Sequence, residues 1–164
     1  MQILVIAAAA VFCLLVLYYL YQGAAYVPTL RATVERMVGA SGVRRGMRMA
    51  DLGSGDGRIV IAFARAGAHA TGFEINPPLV WYSRHKIKKL GLTANAHITT
   101  SNFWNQSLRE YDIVTVFGIN HMMNRLEKKL LTELRPGTII ISNAFRLPHL
   151  KLKEVTGSLL IYQI

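Results

Sequence analysis

Cysteine is almost absent from this chain. Cys13 stands alone, which excludes an intrachain disulfide framework and any multi-cysteine zinc site. The five histidines, at 69, 85, 97, 121 and 149, are scattered, and no pair has the spacing of a zinc-binding helix, so no metal is expected. Acidic side chains are also scarce: 9 Asp+Glu face 19 Lys+Arg, a formal charge of +10. That balance favours an anionic partner, either nucleic acid or an anionic membrane surface. There is no internal repeat and no low-complexity tract. The chain has 164 residues, is 52% hydrophobic and has a mean hydropathy of +0.28, which excludes wholesale disorder and suits one compact domain.

The apolar excess is concentrated at one end. Ile3 to Leu20 is an uninterrupted apolar run if its two tyrosines are counted. As a helix it would be roughly 27 Å long at ~1.5 Å per residue, close to a hydrocarbon core of ~30 Å. Tyr18, Tyr19, Tyr21 and Tyr26 gather where an interfacial aromatic belt would lie. Arg31, Arg36, Arg44, Arg45 and Arg48 follow, opposed only by Glu35. The expectation is a single transmembrane anchor over residues 1–22, with the following domain on the cytoplasmic side or its organellar equivalent. A cleaved signal peptide would want a basic leading segment and a shorter apolar core.

Residues 23–46 read as a connector and one helix, capped by Thr29 and running to about Gly39. From residue 47 to 164 short apolar runs alternate with amphipathic ones. Strands are predicted at Arg48–Leu52, Ala68–Glu74, Ala96–Thr100, Ile113–Phe117 and Thr138–Ser142. Helices are predicted at Arg58–Ala66, Pro78–Leu90 and His121–Leu134. Such alternation implies an α/β, doubly wound, mostly parallel sheet. Leu150–Val155 and Ser158–Ile164 around Thr156-Gly157 read as a closing antiparallel hairpin.

The sharpest signal is Asp51-Leu52-Gly53-Ser54-Gly55-Asp56-Gly57-Arg58, a glycine loop between a strand and a helix. Arg58 stands where the dinucleotide fingerprint needs its third glycine, and no Gly-Lys-Ser/Thr ending makes it a P-loop. Asp51 and Asp56 would repel a pyrophosphate and attract a cation. S-adenosylmethionine, cationic at its sulfonium and its ammonium, suits this loop better than a dinucleotide. Glu74 ends the second strand, placed to accept both ribose hydroxyls, as the acid ~20 residues on does in dinucleotide folds. Asn102 and Phe103 end the third strand, where an amide carbonyl and a ring could meet adenine. Asp51, Gly53, Ser54, Gly55, Asp56, Gly57, Glu74, Asn102 and Phe103 are therefore the expected cofactor-binding set. Replacing Glu74 by Ala is expected to abolish cofactor binding with little loss of fold. Asn76-Pro77-Pro78 follows the second strand, not the fourth, and reads as a helix start.

These residues resemble class I, seven-strand methyltransferases, with a Rossmann-like sheet. The blocks Phe73–Arg84, Val116–Met123, Leu126–Leu130 and Phe145–His149 narrow the resemblance to the FAM173 family. It departs from that family's pattern at Asn102, where an aspartate is usual, and at Leu150, where an aromatic often stands. The resemblance implies a membrane-anchored protein-lysine methyltransferase acting on membrane proteins such as the ATP synthase c subunit or the adenine nucleotide translocase. Tyr26, Phe117, Asn120 and Phe145 are candidates for orienting the target amine; no general base is identified. Two rivals stand beside this reading. The basic run Arg84-His85-Lys86-Ile87-Lys88-Lys89 fits an RNA methyltransferase, although an anchor would hold one away from most RNA. The chain could also be a non-catalytic, membrane-tethered cofactor-binding module.

Overall fold

The computed structural model describes residues 5–7, 9–13 and 27–164. The described leading residues are helical, and Val5, Ile6, Val11 and Phe12 are exposed. Among the described residues no helix is long and apolar enough to cross a membrane. Most of the expected anchor, and Tyr26, lie outside the described residues.

Seven strands make one sheet: β1 (Arg48–Leu52), β2 (His69–Glu74), β3 (Ala96–Thr100), β4 (Ile113–Val116), β5 (Ile139–Asn143), β6 (Leu152–Thr156) and β7 (Leu159–Gln163). Their spatial order is β3-β2-β1-β4-β5-β7-β6. The first five run parallel, and β7 enters antiparallel between β5 and β6. The helices are α1 (Arg31–Ala40), α2 (Arg58–Arg65), α3 (Pro77–Lys89) and α4 (Asn120–Glu133). The doubly wound sheet with its closing hairpin is thus as expected.

Period-two alternation explains the layering. Ile113 and Ile141 enter one core with Val34 and Met37 of α1, Ile59, Val60 and Phe63 of α2, and Val80 and Ile87 of α3. Val114 and Ile140 face the other side, where Met123, Leu126 and Leu130 of α4 pack with Leu108 and Tyr162. Both faces of the central strands are therefore covered, and their free edge is the row of strand tips.

Local chemistry sets the ends of the elements. Pro77 and Pro78 open α3, where a missing N–H costs nothing. The helix α1 starts one residue later than expected: Leu30 is its N-cap, with no side-chain cap, and buried Thr29 offers its carbonyl to Arg58 Nη1 at 2.7 Å. That bond sets the start of α1 beside the start of α2, at the carboxyl edge of the sheet. The hairpin turn falls at Gly157-Ser158, one residue beyond the expected Thr156-Gly157, because Thr156 still pairs with Leu159. A short 3-10 turn at Phe103–Asn105 was not expected.

Candidate active site

The loop after β1 is fastened to β2. The N–H groups of Gly53 and Ser54 both donate to the Phe73 carbonyl, at 2.9 and 3.0 Å, and Gly57 N–H donates to the Ser54 carbonyl at 2.9 Å. Gly53, Gly55 and Gly57 have φ of 83°, 52° and 74°, a region other residues rarely adopt. Gly72 serves differently. A Cβ there would lie 2.5 Å from Ser54 Cβ and Oγ and 2.7 Å from Ile98 Cδ1. Gly72→Ala should therefore destabilise the fold by about 1–3 kcal/mol through overpacking and push Ser54 out of place. Thermal unfolding beside a cofactor titration checks this; an unchanged melting temperature would refute the close approach.

Three acids were expected here, and the structure gives them three tasks. Asp51, at the tip of β1, is buried; Oδ1 accepts from Thr115 Oγ1 of the neighbouring β4 at 2.7 Å. Burial pushes its carboxyl up to about 7; the Thr115 hydrogen bond opposes this, and the charges of Glu74 and Asp56 reinforce it. Glu74, at the tip of β2, accepts three backbone N–H bonds: Oε2 from Gly55 at 2.8 Å, Oε1 from Ile75 and Asn76 at 2.9 Å each. A carboxylate has about four acceptor directions, so one stays open on the Oε2 side. Asp56 carries ion pairs that the sequence did not announce. It is held by Arg58 Nε at 2.8 Å, Arg58 Nη2 at 3.0 Å and Lys86 Nζ at 3.2 Å. Burial alone would raise its carboxyl, but these partners hold it below the usual carboxylate range. Its charge ties the loop to α2 and α3.

Buried polar atoms normally have partners. Among the described residues, the buried side-chain atoms without one are Asp51 Oδ2, Ser54 Oγ and Ser101 Oγ. They belong to the end of β1, the glycine loop and the residue after β3, all on the carboxyl edge of the sheet, where α/β folds bind ligands. A buried carboxylate oxygen with no donor and two unsatisfied hydroxyls suit a polar ligand with a cationic group. Sequence reasoning missed Ser101 and Thr115; a hydroxyl facing an acid across the β1–β4 register was the available signal.

The third strand tip carries a turn of its own. Asn102 Oδ1 accepts from Trp104 N at 3.1 Å and caps the 3-10 turn, which engages one of its two acceptor directions. Phe103 is half-buried, its ring 4.8 Å from that of Trp104. On the other side of the site the structure brings Phe117, after β4, and Phe145, after β5, together with ring centres 6.0 Å apart. Ser142 Oγ donates to the Phe145 carbonyl at 2.5 Å, and the intervening Ala144 has φ of 67°. Asn120 is exposed at the start of α4. His121 is also exposed, and no cluster of metal-ligating side chains occurs among the described residues. An open cleft of about 590 Å³ lies at the opposite edge, lined by Ser41, Arg44, Asp112, Arg135 and Lys153. It is remote from every strand tip that carries the acids.

This strand order, with an acidic glycine loop after β1 and an acid closing β2, defines a class I methyltransferase fold. Residues 51–154 match the model of the ANTKMT methyltransferase domain. The chain belongs to that family. It is 43% identical over 132 residues to the Rattus norvegicus lysine N-methyltransferase of the ATP synthase c subunit, covering 80% of this chain and 61% of the relative. It is 36% identical to a protein-lysine N-methyltransferase of Saccharolobus islandicus (strain REY15A), covering 79% of this chain and 82% of that protein. A solved RNA methyltransferase from Salinibacter ruber, in complex with S-adenosyl-L-homocysteine, is 30% identical with a TM-score of 0.78, covering 84% of this chain and 92% of that one. The chain thus spans about three fifths of the rat relative's length.

Proposed function

We propose that the protein transfers a methyl group from S-adenosylmethionine to a lysine ε-amine of a membrane protein. The observation that carries the ligand part is the convergence of Asp51 Oδ2, Ser54 Oγ and Ser101 Oγ, buried and unpartnered, on the edge where Glu74 keeps one acceptor direction open. Asp51 would hold the cofactor's ammonium, Ser54 and Glu74 its polar body, and Phe103 one face of its ring. The bound cofactor supplies an electrophilic methyl on a sulfonium. The lysine part rests on membership of the family and on the rat and Saccharolobus relatives being named for lysine methylation.

The residues present account for the chemistry without a dedicated base. Only a neutral amine is nucleophilic, and a free lysine has a pKa of ~10.4. Desolvation against the Phe117–Phe145 ring pair, beside a cationic cofactor, would lower that value. The rings also attract the ammonium as it arrives and orient the amine in line. Transfer would form the nitrogen–carbon bond as the cofactor's carbon–sulfur bond breaks, with the amine's extra proton passing to solvent.

The membrane belongs to the same proposal. Val5, Ile6, Val11 and Phe12 are helical and exposed, in an apolar run long enough to span a bilayer, and the arginines that follow favour the cytoplasmic side or its organellar equivalent. A second reading, methylation of RNA, has in its favour the exposed Arg84, His85, Lys88 and Lys89 of α3 and the Salinibacter neighbour. Labelled S-adenosylmethionine, offered to membranes, soluble protein and RNA beside the Glu74→Gln variant, decides between them. Label in a membrane protein, recovered as methyl-lysine and lost in the variant, is the expected result. Label in RNA overturns it, and cofactor binding with no label in any fraction reduces the protein to a binding module.

A further inference from the structure

The strongest unassigned feature is a buried carboxylate on α4. Met123, Leu126 and Leu130 form the stripe that α4 buries in the second core, and Glu127 lies on that stripe, 2% exposed. A carboxylate there is costly unless its lone pairs are filled. All its partners come from one stretch of chain. Oε1 accepts from His149 N–H at 2.8 Å and Leu150 N–H at 2.5 Å, and Oε2 meets His149 Nδ1 at 2.7 Å. Burial would raise the Glu127 carboxyl, but these bonds hold it below the usual range.

That stretch is the connection between β5 and β6, residues 144–151, which contains no helix or strand. It begins with the left-handed Ala144, a conformation that costs roughly 1–2 kcal/mol and persists only where the surroundings over-determine it. Three ties supply that determination. Ser142 Oγ holds the Phe145 carbonyl, the Tyr162 hydroxyl accepts from Leu147 N–H at 3.1 Å, and Glu127 holds the far end. Phe145, the ring facing Phe117, sits between the first tie and the other two.

Three other polar residues of α4 reach elsewhere. Arg125 lies 4.2 Å over the Trp104 ring, Lys129 Nζ donates to the Gln106 carbonyl at 2.7 Å, and Glu133 accepts from Leu108 N–H at 2.8 Å. Those three hold the segment after β3, on the cofactor side. One helix thus anchors two walls of the site through separate residues.

We propose that Glu127 is a positioning residue for the acceptor wall: by holding residues 149 and 150 it fixes Phe145 against Phe117, and so sets where the target amine lies. This rests on the lysine reading above. A displacement of ~1 Å at such a wall can cost up to ~100-fold in rate.

The test compares Glu127→Gln, Glu127→Ala and a core control on the same helix, Leu130→Val. The acceptor is the unmethylated ATP synthase c subunit in detergent micelles, cofactor affinity is read calorimetrically with S-adenosylhomocysteine, and amide exchange is followed over residues 144–150. Glu127→Ala should raise the acceptor KM by about 10-fold or more, lower kcat, and speed exchange over 144–150, leaving cofactor affinity within about twofold. Glu127→Gln keeps an acceptor for the two N–H bonds and should fall between. The inference is overturned if acceptor kinetics shift no more than in Leu130→Val at equal loss of melting temperature. It is equally overturned if cofactor affinity falls in step with acceptor KM. Failure of the underlying reading has other signs: Phe145→Ala with unchanged acceptor KM removes the aromatic wall, and label entering RNA but not the protein acceptor removes the lysine reaction.

Discussion

Glu74→Gln should weaken S-adenosylhomocysteine binding roughly 10- to 100-fold, the range expected when about 1.5–3 kcal/mol of hydrogen bonding to a charged group is lost. Calorimetric titration reads the change, and an unchanged affinity would remove Glu74 from the ligand site. Glutamine is the informative substitution because the structure alters the expectation for alanine. Glu74 does not stand free at a strand tip; it accepts from Gly55, Ile75 and Asn76. Alanine would strip all three N–H groups of their acceptor, at about 1–3 kcal/mol for each that stays dry. Glu74→Ala should therefore lose both binding and thermal stability. Glutamine keeps an oxygen for Ile75 and Asn76 and removes the charge and one acceptor facing Gly55. The carboxylate proposed to receive the ligand also shapes the glycine loop, so the loop is preorganised before binding.

Cofactor affinity should also fall about tenfold for each pH unit below about 7 and be flat above it. The cause is Asp51, whose carboxyl burial raises from 3.8 to about 7. In the ligand-free fold Asp51 takes up a proton more readily than in the unfolded chain. Its burial therefore costs nothing below the unfolded pKa, and destabilises the fold progressively as pH climbs towards 7. A bound ammonium reverses that preference, because it needs the charged carboxylate that Thr115, Glu74 and Asp56 surround. Below pH 7 the ligand must therefore displace a proton to bind. Asp51→Asn should bind cofactor about 10- to 100-fold more weakly at pH 8, for the loss of a charge-assisted bond, and show no dependence between pH 6 and 8. The same variant should be more heat-stable at pH 8 than the parent without ligand. A parallel pH profile in parent and variant would assign the titration to another group.

Much of this was legible in the sequence, for identifiable reasons. The strands β1 and β3 match their predicted limits because Gly53 follows the first, and Asn95 and Ser101 flank the second. The candidate acids were visible because glycine spacing fixes where a strand must end and a loop must begin. What escaped notice depends on distant partners. Asp56 reads as a loop acid until Lys86, 30 residues on, is seen to reach it. Asn102 reads as an amide offered to a ligand until the 3-10 turn forms and needs a cap. Glu127 sits inside the Leu126–Leu130 block with no evident task, since its partners lie 22 and 23 residues away. A clue was present: an acid occupying a core position between Leu126 and Leu130. Tyr26 and most of the expected anchor fall outside the described residues, so their part in the site stays a proposal.

The position of β7 has a consequence for the order in which the molecule comes together. It follows β5 and β6 in the chain yet lies between them, with Leu159, Ile161 and Tyr162 buried. Translation proceeds at about 5–20 residues per second, so the glycine loop leaves the ribosome several seconds before β7 does. For the last roughly 1–4 seconds of that interval, between the emergence of β5 and that of β7, β5 presents an unpaired edge, the kind that recruits foreign strands. Tyr162, whose hydroxyl holds Leu147, arrives with β7, and only then is the β5–β6 connection tied on that side. The nascent protein thus acquires its glycine loop early and the ties on its β5–β6 connection late, so a truncated product would carry the first without the second.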